Sequence, residues 1–469
     1  MFYILVQENQ RLYNLEYKMK IVIAGGGKVG EALCTDLSAE GYDVILIEVI
    51  EERLTKLIEK ADITGLVGNG ASIKAQLEVG VDTSDVFISV TNSDELNIIS
   101  AIIARKLGAQ HTIARVRNPE YFVNMNFVRD ELGITFMINP ELVSARDIMT
   151  MLRFPYAYDV ESFFRGVVNI VEVEIEEDSF LNGKMLQDLN TSDEKVLVCI
   201  VDRNHEVFIP NGQFVLQAKD RIYLTGSEEA IHEFWCVKKS PNKRVRSVMI
   251  VGGSRISHYL IEKLIKKNIK VKLIEINTKI AEEFSFNFPE ITVINGDGTD
   301  QDLLREEGIS SYDAVVSMTG IDEENMILSM FSHSLNVQKT ITKINRKMLM
   351  PILDKIGLDS VITPKKVISD LIIRFVRSEG STKSSKVETL HRFLENRVES
   401  LEFIIDGNSR ALNIPLKDLK TIPNLLIACI LREGQLIFPG GQDVILEGDR
   451  VLIITTKKYL DRFDEILVS

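Results

Sequence analysis

Long apolar runs are missing from this sequence. The longest, Asp43–Ile50 (DVILIEVI) and Asn424–Leu431 (NLLIACIL), fall far short of the roughly 18 residues that span a bilayer. The opening segment FYILVQENQRLYNLEY carries acids and amides, with no basic start, apolar centre or small-residue cleavage site. It therefore does not read as a secretory signal, and the cytoplasm is the expected location. Only 4 cysteines occur, none spaced as CxxC, and the 6 histidines form no HxxxH or HxH pair. Neither a disulfide framework nor a metal site is expected from them. A basic excess is absent too: 55 Lys and Arg stand against 68 Asp and Glu, a net charge of −13, which argues against a nucleic-acid partner.

What is present is a repeat. The segment IVIAGGGKVGEALCTDL from Ile21 returns as VMIVGGSRISHYLIEKL from Val248, at an offset of 227 that also pairs Glu48 with Glu275. An offset of 228 pairs Gly68-Asn69-Gly70 with Gly296-Asp297-Gly298, Thr91 with Thr319, Asn97 with Asn325, and Arg115 with Lys343. A smaller segment, Val198–Gly226, matches Ala428–Thr455 at an offset of 229. Each half thus holds a large module followed by a small one. Composition shifts at Phe154-Pro155, at the basic stretch Lys238–Arg246 and at Ser378–Lys386. They divide the chain into an N-terminal extension (1–18), a first large module (19–153), a first small module (158–238), a second large module (245–378) and a second small module (387–469). Residues 1–18 have no counterpart in the second half, and Met19 stands directly before the first strand, as a start codon called too early would leave it.

Short Val/Ile runs at Ile21–Ala24, Val44–Ile47, Thr64–Val67, Val86–Val90, Thr112–Val116 and Ile134–Ile138 alternate with amphipathic stretches that close at Gly41, Gly80 and Gly108. That pattern predicts a parallel sheet with helices on both faces, the helices ending on left-handed glycines. The fold class is therefore α/β: two Rossmann-like doubly wound domains. Each is followed by a small antiparallel α+β domain, read from short alternating strands, the turn Gly183–Leu189, and Pro-Asn-Gly and Pro-Gly-Gly turns.

Gly25-Gly26-Gly27-Lys28-Val29-Gly30 fits GxGxxG after a strand and before a helix, where backbone can approach a pyrophosphate at the positive helix end. Glu48, 18 residues after Gly30 at the end of the second strand, is placed to accept ribose hydroxyls and to repel a 2′-phosphate. NAD or an adenine nucleotide is favoured over NADP. Lys28 is followed by Val29, where a Mg²⁺-binding Ser or Thr would stand, so the turn is not a Walker A loop. In the second half Gly252-Gly253-Ser254-Arg255-Ile256-Ser257 keeps the first glycine of the motif and places serines where its second and third glycines would stand. Serine bulk at Ser254 predicts a weaker site or a differently posed ligand, with Glu275 retained for the ribose.

Thr91-Asn92-Ser93-Asp94-Glu95 and Thr319-Gly320-Ile321-Asp322-Glu323 follow the fourth strand of each sheet, at the edge where ligands of such sheets bind. The Thr-x-x-Asp spacing also predicts helix capping there. Arg115 and Arg117 leave the fifth strand at the same edge as candidates for a phosphate, and Gly68-Asn69 would let a loop pass an adenine. Catalytic equipment is lacking. No GxSxG is present, and the Tyr259-to-Lys263 spacing lies in the helix after the second glycine turn, far from where a hydride-transfer acid must stand. An enzyme is not expected.

Taken together, the order large–small–large–small, the GxGxxG, the strand-end acid, Thr-Asn-Ser-Asp-Glu, Ala-Arg-Val-Arg and the Lys-Asp-Arg and Gly-Asp-Arg endings of the small modules resemble the TrkA family of Trk potassium-uptake regulatory proteins, across residues 19–469. The resemblance implies RCK (KTN) N-terminal nucleotide-binding domains and RCK C-terminal domains. It implies a cytoplasmic regulatory subunit, held peripherally at the membrane by a potassium-translocating subunit of the TrkH or TrkG type. The ligands implied are NAD(H) and ATP or ADP, and the assembly a homodimer or a higher gating ring, joined through the helices at Glu141–Arg153 and Lys365–Arg377. Carried over by position, Gly25 to Val29 hold phosphates, Glu48 the ribose, Thr91 and Asn92 the cofactor edge and Arg115 a phosphate. Gly252 to Ile256, Glu275, Thr319 and Lys343 match them in the second half, and Asp297 stands where Asn69 does. The alternatives are an NAD-dependent oxidoreductase and a metabolite-sensing scaffold without a transporter.

Overall fold

The computed structural model describes residues 18–118, 121, 131–189, 196–236, 244–356, 358, 360–380, 387–394, 397–458, 460 and 462–468. The expected extension, apart from Lys18, lies outside them, as do most of the basic stretch and most of Ser378–Lys386. The chain divides into two compact units.

The first unit runs to Pro140 and includes Lys365–Ile373. Its parallel sheet has the order β3-β2-β1-β4-β5-β6. The strands are β1 (Lys20–Ala24), β2 (Asp43–Glu48), β3 (Thr64–Val67), β4 (Val86–Ser89), β5 (His111–Arg115) and β6 (Phe136–Ile138). Helices α1 (Lys28–Ala39), α2 (Glu51–Lys60), α3 (Ile73–Glu78) and α4 (Asp94–Leu107) connect them. β1 and β4 are buried at nearly every position, as strands covered on both faces must be. Gly41, Gly80 and Gly108 lie at φ +87°, +70° and +132°, the left-handed geometry expected after each helix. The sixth strand is shorter than the sequence predicts, because Thr135 and Thr112 exchange backbone-to-hydroxyl hydrogen bonds just before pairing begins. Strand order reverses between β1 and β4, and the crevice at that switch point is where such sheets bind ligands.

The second unit comprises Glu141–Pro364 and Arg374–Ser469. It includes all but the first residue of α5 (Pro140–Arg153). The first small module is a five-stranded antiparallel sheet, ordered β10-β9-β11-β8-β7. Its strands are β7 (Val160–Phe163), β8 (Val168–Glu174), β9 (Leu197–Arg203), β10 (Glu206–Phe208) and β11 (Arg221–Gly226), trailed by α6 (Glu228–Cys236). The second parallel sheet, β14-β13-β12-β15-β16-β17, repeats the order of the first. It is built from β12 (Ser247–Val251), β13 (Lys270–Glu275), β14 (Thr292–Asn295), β15 (Ala314–Ser317), β16 (Lys339–Lys343) and β17 (Val361–Ile362). Its helices are α7 (Arg255–Lys266), α8 (Thr278–Asn287), α9 (Gln301–Glu306), α10 (Asp322–Ser334) and α11 (Met350–Lys355); α12 (Pro364–Gly380) follows β17, and its residues Lys365–Ile373 belong to the first unit. The last antiparallel sheet, β18-β19-β22-β20-β21, takes β18 (Val387–Phe393), β19 (Val398–Ile404), β20 (Leu425–Arg432), β21 (Gln435–Ile437) and β22 (Arg450–Thr455).

The two small modules share one apolar core. Phe163, Ile170, Cys199 and Tyr223 of the first pack in a single cluster with Phe393, Val398, Cys429 and Leu452 of the second. The repeated Asp-Arg endings have a structural task. Arg203 grips Asp220 through two hydrogen bonds of 2.7 Å, and Arg432 grips Asp449 through two of 2.8 Å. Each carboxylate is buried, and this fork geometry satisfies both of its oxygens.

Candidate nucleotide site

The carboxyl edge of the first sheet assembles from β1, β2 and β4. Gly25, at φ +106°, ends β1, and a Cβ built on it would stand 3.0 Å from the Thr91 backbone nitrogen. No side chain but hydrogen therefore fits between the glycine turn and the loop after β4. A Cβ on Gly30 would meet the Gly25 carbonyl oxygen at 1.9 Å, so this glycine lets α1 close onto the turn. Gly27 differs from both, because a Cβ there meets nothing within 4 Å. The space above Gly27 is open, and no side chain caps α1. The first-turn amides of Lys28, Val29 and Gly30 carry the positive end of the helix dipole toward that space. Lys28 is exposed and Val29 buried beneath it.

Glu48 is 3% exposed. It accepts the Gly26 amide at 2.6 Å, the Ile50 amide at 3.0 Å and Arg53 Nη1 at 3.3 Å. A carboxylate offers about four acceptor positions, so the residue that braces the turn retains capacity for a hydroxyl. Asn97 organises the opposite wall. Its Oδ1 accepts the Thr91 amide at 2.8 Å and the Thr91 hydroxyl at 2.6 Å, and its Nδ2 donates to the Arg115 carbonyl at 2.8 Å. Loop and strand end are thereby locked together, with half-buried Arg115 at the rim and Asn92 exposed beside Thr91. Gly68 donates its amide to the Glu48 carbonyl, while Asn69 closes a local turn by accepting the Ala71 amide at 2.9 Å.

Three sequence expectations are revised here. Thr91 does not cap α4; the cap is Ser93, whose hydroxyl accepts the Leu96 amide at 3.1 Å. In the second half the capping position is Ile321, with no side-chain cap, and Thr319 accepts the Ile321 amide within the loop. Arg117 is committed elsewhere, donating to Asp94 at 3.2 Å and to the Asn92 carbonyl. Asp94 also accepts the Arg117 and Asn118 amides, both at 2.8 Å. Its role as a clasp at the end of β5, like that of Asn97, was signalled in the sequence only by recurrence in the second half.

The second sheet repeats the scaffold. Gly252 lies at φ +103°, and a Cβ on it would approach the Thr319 nitrogen to 2.9 Å. Glu275 accepts the Gly253 amide at 2.5 Å and the Asn277 amide at 2.7 Å. Asn325 joins the Thr319 amide (2.8 Å) to the Lys343 carbonyl (3.0 Å). Asp297 is exposed and accepts both the amide and the hydroxyl of Thr299, and these hydrogen bonds hold its carboxyl below the usual range. Burial pushes the Lys343 ammonium down, against the opposing charges of Asp322 and Glu141. Ser254 caps α7 and forms a reciprocal box with Ser257, while exposed Arg255 and buried Ile256 continue the first turn.

The TrkA-N domain matches residues 21–140 and 248–364, and the TrkA-C domain residues 170–234 and 401–468. The chain belongs to the TrkA family. Among TrkA relatives, the Trk system potassium uptake protein TrkA homolog of Archaeoglobus fulgidus is 31% identical over 449 residues, covering 96% of this chain and 100% of its own. The Trk system potassium uptake protein TrkA of Vibrio alginolyticus is 27% identical over 448 residues, 94% of this chain and 97% of its own. Among solved structures, the GsuK RCK domain aligns with a TM-score of 0.61 at 17% identity, over 95% of this chain and 94% of that one. The GsuK channel bound to NAD aligns with a TM-score of 0.60 at 16% identity, over 95% and 78%. These likenesses carry the fold, two Rossmann-like parallel sheets each followed by a small antiparallel domain. Among the described residues no helix is long and apolar enough to cross a membrane.

Proposed function

We propose that this TrkA-family chain is the nucleotide-binding regulatory subunit of a Trk-type potassium uptake system, and that it gates a membrane potassium transporter in response to NAD(H) or adenine nucleotides. The observation that carries the reading is the open space above Gly27 at an uncapped helix start, faced by Glu48 and the Thr91 loop. These residues fit a dinucleotide or nucleoside diphosphate: the amides after Gly27 and the Arg115 guanidinium for phosphate, Glu48 for the ribose, and the Gly68-Asn69 loop for the base. Bound there, the ligand supplies no chemistry of its own; it links the glycine turn, β2 and the β4 loop. The names of the relatives point to potassium uptake, and the NAD-bound GsuK channel shows that a protein of this fold takes that ligand.

In this reading the chain sits in the cytoplasm against a TrkH- or TrkG-type pore subunit and assembles as a homodimer or larger gating ring. Ligand acts by population shift: it favours one arrangement only to the extent that it binds that arrangement more tightly. Against an oxidoreductase stands the burial of Tyr259, the tyrosine of the Tyr-x-x-x-Lys spacing, within α7. Calorimetric titration of the purified chain with NAD, NADH, ATP and ADP in turn, followed by potassium flux with the pore subunit in proteoliposomes, tests the proposal. Saturable binding with ligand-dependent flux is expected. Failure of all four to bind overturns it.

A further inference from the structure

The two glycine turns are built to different ends. At the first, the position after the Gly-Gly pair is Gly27, with open space beside it and no side-chain cap on α1. At the second, Ser254 fills that position and its hydroxyl accepts the Ser257 amide at 3.3 Å. The Ser254 amide in turn donates to Ser257 Oγ at 3.0 Å, and the Ser257 hydroxyl donates to the Gly252 carbonyl at 2.5 Å. Amides that an anion would otherwise satisfy at a helix start are satisfied by the protein's own hydroxyls.

We infer that Ser254 and Ser257 determine stoichiometry: their capping box substitutes for a ligand pyrophosphate, so that each chain takes one phosphate-bearing nucleotide, at the first sheet. This rests on the nucleotide-binding reading above. The serines therefore do more than crowd the approach; they satisfy the turn without a ligand. The second sheet then serves as a permanently closed partner to a switchable first one.

The test is calorimetric titration of the full chain with NAD and with ADP, reading sites per chain. The wild type should bind one. Gly27→Ser, which places its Cβ in open space, should weaken that site by about tenfold or more. Ser254→Gly with Ser257→Gly, which gives the second turn the residues that stand at Gly27 and Gly30, should raise the count to two, with circular dichroism checking that the variant keeps its helix content. Two sites in the wild type, or a single site that Gly27→Ser leaves intact, overturns the inference while the nucleotide-binding reading stands. No binding by any variant brings down that reading and the inference with it.

Discussion

Glu48 accepts the Gly26 amide at 2.6 Å, so the acid at the end of β2 and the glycine turn after β1 form one structural element. In the proposed site a ribose at Glu48 would be held by the same group that sets the shape of the glycine turn. Glu48→Gln should therefore damage both. The amide nitrogen of glutamine cannot accept from Gly26 or Ile50, leaving one of those N–H groups unmet at a cost of about 1–3 kcal/mol. Urea unfolding should show the loss, and NAD affinity should fall about tenfold. Glu275→Gln should show a similar loss of stability with the number of bound nucleotides unchanged.

Asn97 is the second point of control. It is fully buried and serves Thr91, Ser89 and the Arg115 carbonyl together. Asn97→Ala strands the Thr91 amide and should cost about 1–3 kcal/mol, because buried unmade hydrogen bonds are penalised by desolvation. Hydrogen exchange of the Thr91 amide should accelerate markedly. An unchanged rate would show that the loop is held by other contacts.

Acid should loosen the second site at a defined place. Burial alone would raise the Asp322 pKa, but hydrogen bonds from the Asn345 and Arg346 amides and side chains outweigh it and hold the carboxyl below its ordinary value. The folded-state pKa is thus lower than the unfolded one. The stabilisation is present in full above about pH 4 and disappears as pH falls through the folded-state value. Asp322→Asn should flatten this portion of the acid-unfolding profile, measured by urea midpoints at successive pH values.

The buried Asp449 tests the small modules. Its grip on Arg432 is bidentate, and it also accepts the Leu446 amide at 2.8 Å. Removing one partner of such a pair leaves an uncompensated guanidinium, with a loss of about 3 kcal/mol. Asp449→Ala should lower the thermal midpoint of the small modules, and Asp220→Ala should do the same. Replacing Arg432 and Asp449 together by apolar residues should recover much of the loss.

Most of the fold was legible because covered parallel strands announce themselves as Val/Ile runs and their helices stop on glycine. The repeat made the reading stronger, since each element appeared twice. The geometry of the candidate site was legible in its glycines and strand-end acids, whose spacing reflects backbone geometry. The duties of Thr91, Ser93 and Arg117 were not, because which hydroxyl caps a helix and which arginine is already occupied depend on side-chain direction within a loop. The shared core of the small modules was hidden for a different reason. Alternation shows which face of a strand is apolar, and it does not show what covers that face.

That shared core has a consequence for how the two sheets diverge. If the halves were separate identical chains meeting through Phe163, Cys199 and their counterparts, any change from glycine to serine at one turn would appear at the other as well. Joining the copies in a single chain lets Gly27 and Ser254 differ while the core shared by the two small modules is kept. A duplicated gene can in this way turn a pair of equal sensors into one sensor and one fixed support.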